Sequence, residues 1–318
     1  MDLLQEIRNK IDQIKKFRSI EGLQAVITHI ERAEKFLEQG KSNGDNHLFT
    51  DVIYRTNHAF EGILKEAYSV LSSKLSDKAT PAEIEKYFAK ESVFHQRILD
   101  MFQEYRQKWR NPSTHDYKLF FSEDEAFMAI VTISAFVNIL LNQLYEKLSY
   151  EHEKSLLQTN KDQIVSNIPD FGKMDFFNKV EAVVLKFANS LSTPELTTKA
   201  MKEYEYTGML TAYLEESGVA KAIAREPSFV DKNGVVLRPD LQLTGDEDIF
   251  IDLKIVKNGR IDKTIESQMV LYLHHSKVKR GIILILSEEP DVPYYAGFTA
   301  YSMEDDSFGI SLIYRREK

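Results

Sequence analysis

The chain has 318 residues, 41 Lys+Arg against 49 Asp+Glu for a formal net charge of −8 at pH 7, and no cysteine. That length predicts two domains of ordinary size. The missing thiols exclude a disulfide scaffold and any cysteine-ligated zinc site within it, and the acidic balance argues against tight, non-specific coating of nucleic acid.

Residues 1–158 read as helical throughout. Leu3, Leu4, Ile7, Ile11 and Ile14 recur at helical spacing. A Gly- and Asn-containing segment, Gly40 to His47, ends the first long helical arm. Phe49 to Leu75 predicts a second, with Ile53, Phe60, Ile63, Leu64 and Ala67 on one stripe. Thr80-Pro81-Ala82-Glu83 has the form of a capping box with Pro at the first helical position. Ser122-Glu123-Asp124-Glu125 forms another, opening a helix faced by Phe127, Ile130, Ile133, Phe136, Val137, Leu140, Leu141 and Leu144. These helices predict an all-α bundle of about four or five members. Met1-Asp2-Leu3-Leu4-Gln5-Glu6 lacks the basic start of a signal peptide. No apolar run is expected to reach the ~20 residues of a membrane span, so the reading is a soluble, cytoplasmic protein with no membrane contact.

Between two of these helices lies Trp109-Arg110-Asn111-Pro112-Ser113-Thr114-His115. It resembles the R-x4-6-H motif of HEPN domains, and Tyr54 to Gly62 is similar in style to an earlier helix of that family. The resemblance implies a candidate site of Arg110, Asn111 and His115 that cleaves RNA without metal at a homodimer interface. There Arg110 would clamp a phosphate bidentately and His115 would move protons near neutral pH. Pro112 disfavours helix at the residue before it, so Arg110 to Ser113 also reads as a helix-to-loop exit. Many HEPN-like bundles only dimerise or bind.

The boundary falls in Glu146 to Asp170, with 159–170 as linker and 171–318 as an α/β domain. A helix is predicted from Glu195 to Glu216, entered through Thr193-Pro194. Val235 to Leu243 and Ile249 to Val256 predict two strands joined by a turn at Thr244 to Asp248. A helix carrying Gln268-Met269-Val270-Leu271-Tyr272 follows, then strands at Gly281 to Leu286, Tyr294 to Ser302 and Ile310 to Tyr314.

The hairpin sets Asp240 beside Asp252, and strand alternation puts Asp252 and Lys254 on one face with Leu253 on the other. Ile249, Phe250, Ile251, Leu253, Ile255 and Val256 surround those charges with apolar side chains. A charge in such a strand needs a counter-ion or a metal. Two carboxylates suit a hard divalent cation, Mg²⁺ or Mn²⁺. Lys254 can orient water or stabilise phosphate charge.

Arg238-Pro239-Asp240, a spacer and Asp252-Leu253-Lys254 resemble the active-site pattern of the PD-(D/E)XK nuclease superfamily, across roughly residues 170–318. Gln268 and Tyr272, four apart on one helical face, resemble the Q-x3-Y motif of its RecB-like branch. The resemblance implies a restriction-endonuclease-like core with a mixed central sheet. It also implies a metal ligand from the preceding helix, for which Glu205 is preferred and Glu203 is the rival. Asp240, Asp252 and Glu205 would hold the metal, and Lys257, Arg260 and Lys263 would track a nucleic-acid backbone. Lys277, Lys279 and Arg280 form a further basic cluster, and the adjacent His274 and His275 receive no role beyond phosphate contact. The expected activity is Mg²⁺-dependent phosphodiester hydrolysis, DNA favoured and RNA possible, in bacterial defence against phage or foreign DNA. The alternatives are the HEPN-type ribonuclease, or a non-catalytic dimeric module that binds nucleic acid. The helical domain is the expected homodimer contact.

Overall fold

The computed structural model describes residues 2–73, 79–90, 96–115, 118–158, 161–191, 202–256, 263–287, 292–303 and 306–315. Its contacts divide the chain into two compact units, Met1–Leu148 and Ser149–Lys318.

The first unit is helical: α1 (Leu3–Ile14), α2 (Gly22–Asn43), α3 (His47–Ser72), α4 (Pro81–Lys90), α5 (Gln96–Tyr105), a π-helical turn (Arg106–Arg110), α6 (Asn111–His115) and the long α7 (Glu123–Leu157), whose tail enters the second unit. Helix ends follow local chemistry. Asp2 accepts the Gln5 N–H at 3.0 Å, capping α1. Gly44, left-handed at φ 65°, ends α2. Both capping boxes form, with Glu83 accepting from Thr80 N and Glu125 from Ser122 N at 2.8 Å each. The core gathers around Phe60, whose ring lies 4.6 Å from Tyr105, 5.3 Å from Phe102 and 5.5 Å from Phe136. The short α4 to α6 make the bundle more divided than four or five helices.

One expectation needs correction. α7 is long and apolar enough to cross a membrane by length and composition, but 61% of its apolar window is buried inside the fold. Ala126, Ala129, Ile133, Phe136, Val137, Leu140, Leu141 and Leu144 supply that burial, as in the core helix of a bundle.

The second unit is built on a six-stranded mixed sheet in the order β1 (Ala222–Arg225), β4 (Leu241–Thr244), β5 (Asp248–Val256), β6 (Arg280–Ser287), β8 (Asp306–Arg315), β7 (Tyr294–Met303). The β5–β6 and β6–β8 pairs are parallel and the other three antiparallel. α8 (Lys161–Ser166), α9 (Phe176–Ser190) and α10 (Lys202–Ser217) pack on one face through Ile164, Phe177, Val180, Val184, Tyr206 and Leu210, against Leu241, Ile251, Leu253 and Leu284. α11 (Lys263–His274) covers the other through Met269, Tyr272 and Leu273, against Phe250, Ile283 and Ile285. β5 and β6 are therefore apolar on both faces, as central parallel strands are. The α7 tail is tied to α10 by Tyr150, which donates to Glu215, and by Lys154, 3.1 Å from the same carboxylate.

The predicted strand from Val235 to Leu243 is two elements. β3 (Val236–Leu237) pairs with β2 (Phe229–Val230) in a separate ribbon, and β4 begins at Leu241. Pro239 explains the break, since it has no N–H for a ladder and restricts Arg238 before it. Residues 192–201, which include Thr193-Pro194, lie outside the described set, and α10 is described from Lys202.

Candidate functional site

Pairing registers assemble the site. Leu241 lies opposite Ile251 and Arg225 opposite Leu241. One step along, Asp240 faces Asp252, and the Glu226 N–H donates to the Asp240 carbonyl at 2.8 Å. Glu226, Asp240 and Asp252 thus form one row across β1, β4 and β5, on the α11 face of the sheet. The Asp240 carboxylate accepts the Leu253 N–H at 2.7 Å, clasping the two strands at the row. Glu226 has φ 40°, a left-handed backbone that is strained for a non-glycine residue.

Asp252 is 1% exposed. Lys254 Nζ pairs with its Oδ2 at 2.9 Å, and among the described residues no other donor reaches either Asp252 oxygen. Such a buried carboxylate is costly unless a cation completes it. Burial raises the Asp240 pKa well above the ordinary carboxyl range, and the Asp252 charge adds to this against Lys254 and the Leu253 N–H. Burial works against the Lys254 ammonium, but Asp240, Asp252 and Glu203 hold its pKa above the ordinary lysine value. Lys254 is thus a fixed cation at neutral pH.

Of the two helix acids, Glu203 stands 3.9 Å from Lys254. Two residues on a helix lie about 200° apart, so Glu203 and the preferred Glu205 cannot both turn toward the row. Glu203 is 47% exposed along its side chain, and the crowding acts at the carboxylate. Lost hydration raises its pKa, Lys254 offsets this, and Asp252 and Glu226 add to it. Among the described residues no three His, Asp or Glu side chains already converge at metal-ligand spacing. The closely placed carboxylates are the Asp240–Asp252 pair, with Glu203 and Glu226 at its margin.

Gln268 donates to the Tyr272 hydroxyl, joining the two across one turn of α11. Tyr272 is buried, and burial, with the Asp252 charge added, pushes its pKa up to about 12. Lys257 and Arg260 lie outside the described residues, as does the side chain of Lys263, which opens α11. Two members of the second basic cluster are engaged elsewhere: Lys279 pairs with Asp306, and Arg280 with Glu247 and Asp175. His275 stands 4.0 Å from Asp231.

In the helical unit, α5, the π turn and α6 run on without a loop, so Arg110 to Ser113 is not a helix exit. The wider turn, closed by Asn111 N to Arg106 O, spares the missing Pro112 N–H an α-helical partner. Arg110 lies 3.4 Å from Glu61 and from Asn111 Oδ1. Asn57 donates to Ser113 Oγ at 2.7 Å and accepts from the Tyr105 hydroxyl at 3.2 Å. The α3 segment Tyr54 to Gly62 is therefore in contact with the Arg110 segment. The His115 side chain lies outside the described residues.

No family model, curated protein or solved structure matches this chain. Sequence reasoning missed Glu226 altogether. Its signal was the short alternation of Ala222 to Arg225 ending in Glu226-Pro227, legible as an edge strand only once its partner is known.

Proposed function

We infer that the second unit is a divalent-metal-dependent nuclease of the PD-(D/E)XK kind, hydrolysing phosphodiesters, with DNA as the favoured substrate. The observation that carries this is Asp252, a buried carboxylate facing Asp240 whose oxygens, among the described residues, meet no donor other than Lys254. That donor set fits a hard cation such as Mg²⁺ or Mn²⁺, held by Asp240 and Asp252 with Glu203 closing from α10. When bound, such a cation supplies an acidified water and offsets charge on the phosphoryl oxygens. Lys254, held charged, stabilises negative charge on the phosphate and does not serve as a base. Gln268 and Tyr272 line the α11 side and supply hydrogen-bonding groups at the edge of the site. The pairing with a HEPN-like bundle is what makes bacterial defence against phage or foreign DNA our reading of its setting.

A second reading has its own observation: a π turn at the Arg110 motif, a feature frequent at functional sites, beside Asn57, Glu61 and Ser113. There the helical unit would cleave RNA without metal, or only bind it, as a homodimer.

Plasmid cleavage in Mg²⁺ and in EDTA, with wild type and Asp252→Ala, separates these readings. Mg²⁺-dependent cleavage lost in Asp252→Ala supports the first. Cleavage of RNA that survives EDTA and Asp252→Ala but is lost in Arg110→Ala sinks it in favour of the second.

A further inference from the structure

β7 is the outermost strand of the sheet and spans ten residues, Tyr294–Met303, without Lys, Arg, Asp, Glu or Pro. Among the described residues no strand pairs with its outer edge. The opposite edge, β1, is four residues long. Long uncharged edges are templates for another chain, and soluble proteins usually guard them with charge, proline or a bulge. Among the described residues the guard is at the first position: Asn189 on α9 accepts the Tyr294 N–H at 2.8 Å and donates to its carbonyl at 3.4 Å. That contact also sets the phase of the edge. The outward backbone groups belong to Tyr294, Ala296, Phe298, Ala300 and Ser302, since alternate residues bond to β8.

The sequence Tyr295-Ala296-Gly297-Phe298-Thr299-Ala300-Tyr301 is nearly a palindrome about Phe298. Antiparallel pairing with itself about that residue sets Ala296 opposite Ala300 and Tyr295 opposite Tyr301 of the other copy. Every outward residue then meets an outward residue, as a hydrogen-bonded ladder requires. Phe298 is 59% exposed and Tyr295 47% exposed. The self-paired edge puts Tyr295 of the second copy beside Tyr301, at the rim of a 610 Å³ groove lined by Val270, Leu271 and Met303. Charge selects the same place. Two chains of net charge −8 repel over most of their surfaces, whereas this strand presents no charge to its own image. Pairing about Phe298 runs from Tyr294 to Ser302, a nine-residue seam about 31 Å long.

We propose that β7 pairs with the β7 of a second copy about a two-fold axis at Phe298, joining two six-stranded sheets into one continuous sheet. The absence of cysteine makes the test clean. In a hydrogen-bonded antiparallel pair the Cα atoms at the axis are ~5.5 Å apart, within disulfide reach. Full-length Phe298→Cys, oxidised at micromolar concentration, should convert to a covalent dimer, whereas Tyr54→Cys on exposed α3 should not. Thr299→Lys places two like charges diagonally across the axis. It should shift the sedimentation mass from dimer to monomer while the circular dichroism stays unchanged. A wild-type monomer at micromolar concentration would overturn the proposal. So would a dimer that persists in Thr299→Lys with Phe298→Cys uncrosslinked, since its contact must then lie elsewhere, as in the helical unit.

Discussion

Asp240 makes the sharpest claim at the scale of single residues. Its folded pKa is raised, mainly by burial and then by Asp252, so the folded state binds more protons than an unfolded chain titrating near ~3.9. The stability linked to this group is fully present below that unfolded value and is lost as pH rises through the folded pKa. At neutral pH in EDTA, Asp240→Asn should therefore raise Tm, the stability gain being about 1.4 kcal/mol for each unit by which the folded pKa exceeds the unfolded one. The Asn side chain still offers an oxygen to the Leu253 N–H. The gain should vanish near pH 3, and the same variant should lose Mg²⁺ binding by calorimetry. A Tm that falls at pH 7 would mean that the carboxylate is stabilising as placed. Lys10 is the mirror case in the helical unit. It is buried, donates to Asn142 Oδ1 at 2.7 Å and to the Asn138 carbonyl at 3.3 Å, and its pKa is lowered by burial. The unfolded chain keeps that proton longer, so stability climbs as pH rises between the folded pKa and ~10.4. Asn142→Leu leaves the ammonium short of an acceptor and should cost about 1–3 kcal/mol. Lys10→Met with Asn142→Leu should recover that loss in urea denaturation.

Secondary elements show what could be read in advance and what could not. The Asp252–Lys254 strand and its partner face were legible because alternation is a local property: apolar residues flank two charges at spacing two. The Gln268–Tyr272 contact was legible for the same reason at spacing four. The break at Pro239 was written in the residue itself, but the hydrophobic run from Val235 to Leu243 masked it. Glu226 was not legible, because β1 acquires meaning only by pairing with β4, and a four-residue strand carries little periodicity. The choice between Glu203 and Glu205 turned on the rotation of α10 about its axis, which packing fixes and a weakly amphipathic sequence does not. Seating of α11 illustrates the same dependence. Met269 lies against Gly281 of β6, where an added Cβ would come within 2.6 Å of the sulfur. Gly281→Ala should therefore lift the helix, costing about 1–3 kcal/mol in denaturant midpoint. If Tyr272 and Gln268 line the site, it should lower cleavage more than stability alone explains. Unchanged kinetics with reduced stability would remove α11 from the site.

At the scale of the whole molecule, α7 passes through the division at Leu148 without a break. The sequence signal at 159–170 is compositional: charged and polar residues replace the apolar stripe there. The contacts favour an earlier start, since the last turns of α7 belong to the second unit. Tyr150 donates to Glu215, Arg225 lies 4.7 Å over the Tyr150 ring, and Leu157 packs against the sheet-face core. These contacts fix the C-terminal end of α10, whose other end brings Glu203 toward Lys254. A fragment of 149–318 should therefore unfold in one cooperative step. A fragment of 159–318 loses a buried aromatic contact, a cation–π pair and a leucine, a deficit of about 2–4 kcal/mol. The two denaturation midpoints decide this. If they coincide, the α7 tail is a passive extension and the boundary lies where the composition changes. If the shorter fragment is weaker and also binds Mg²⁺ less well, the long helix is the part that holds α10, and with it Glu203, in register with the carboxylate row.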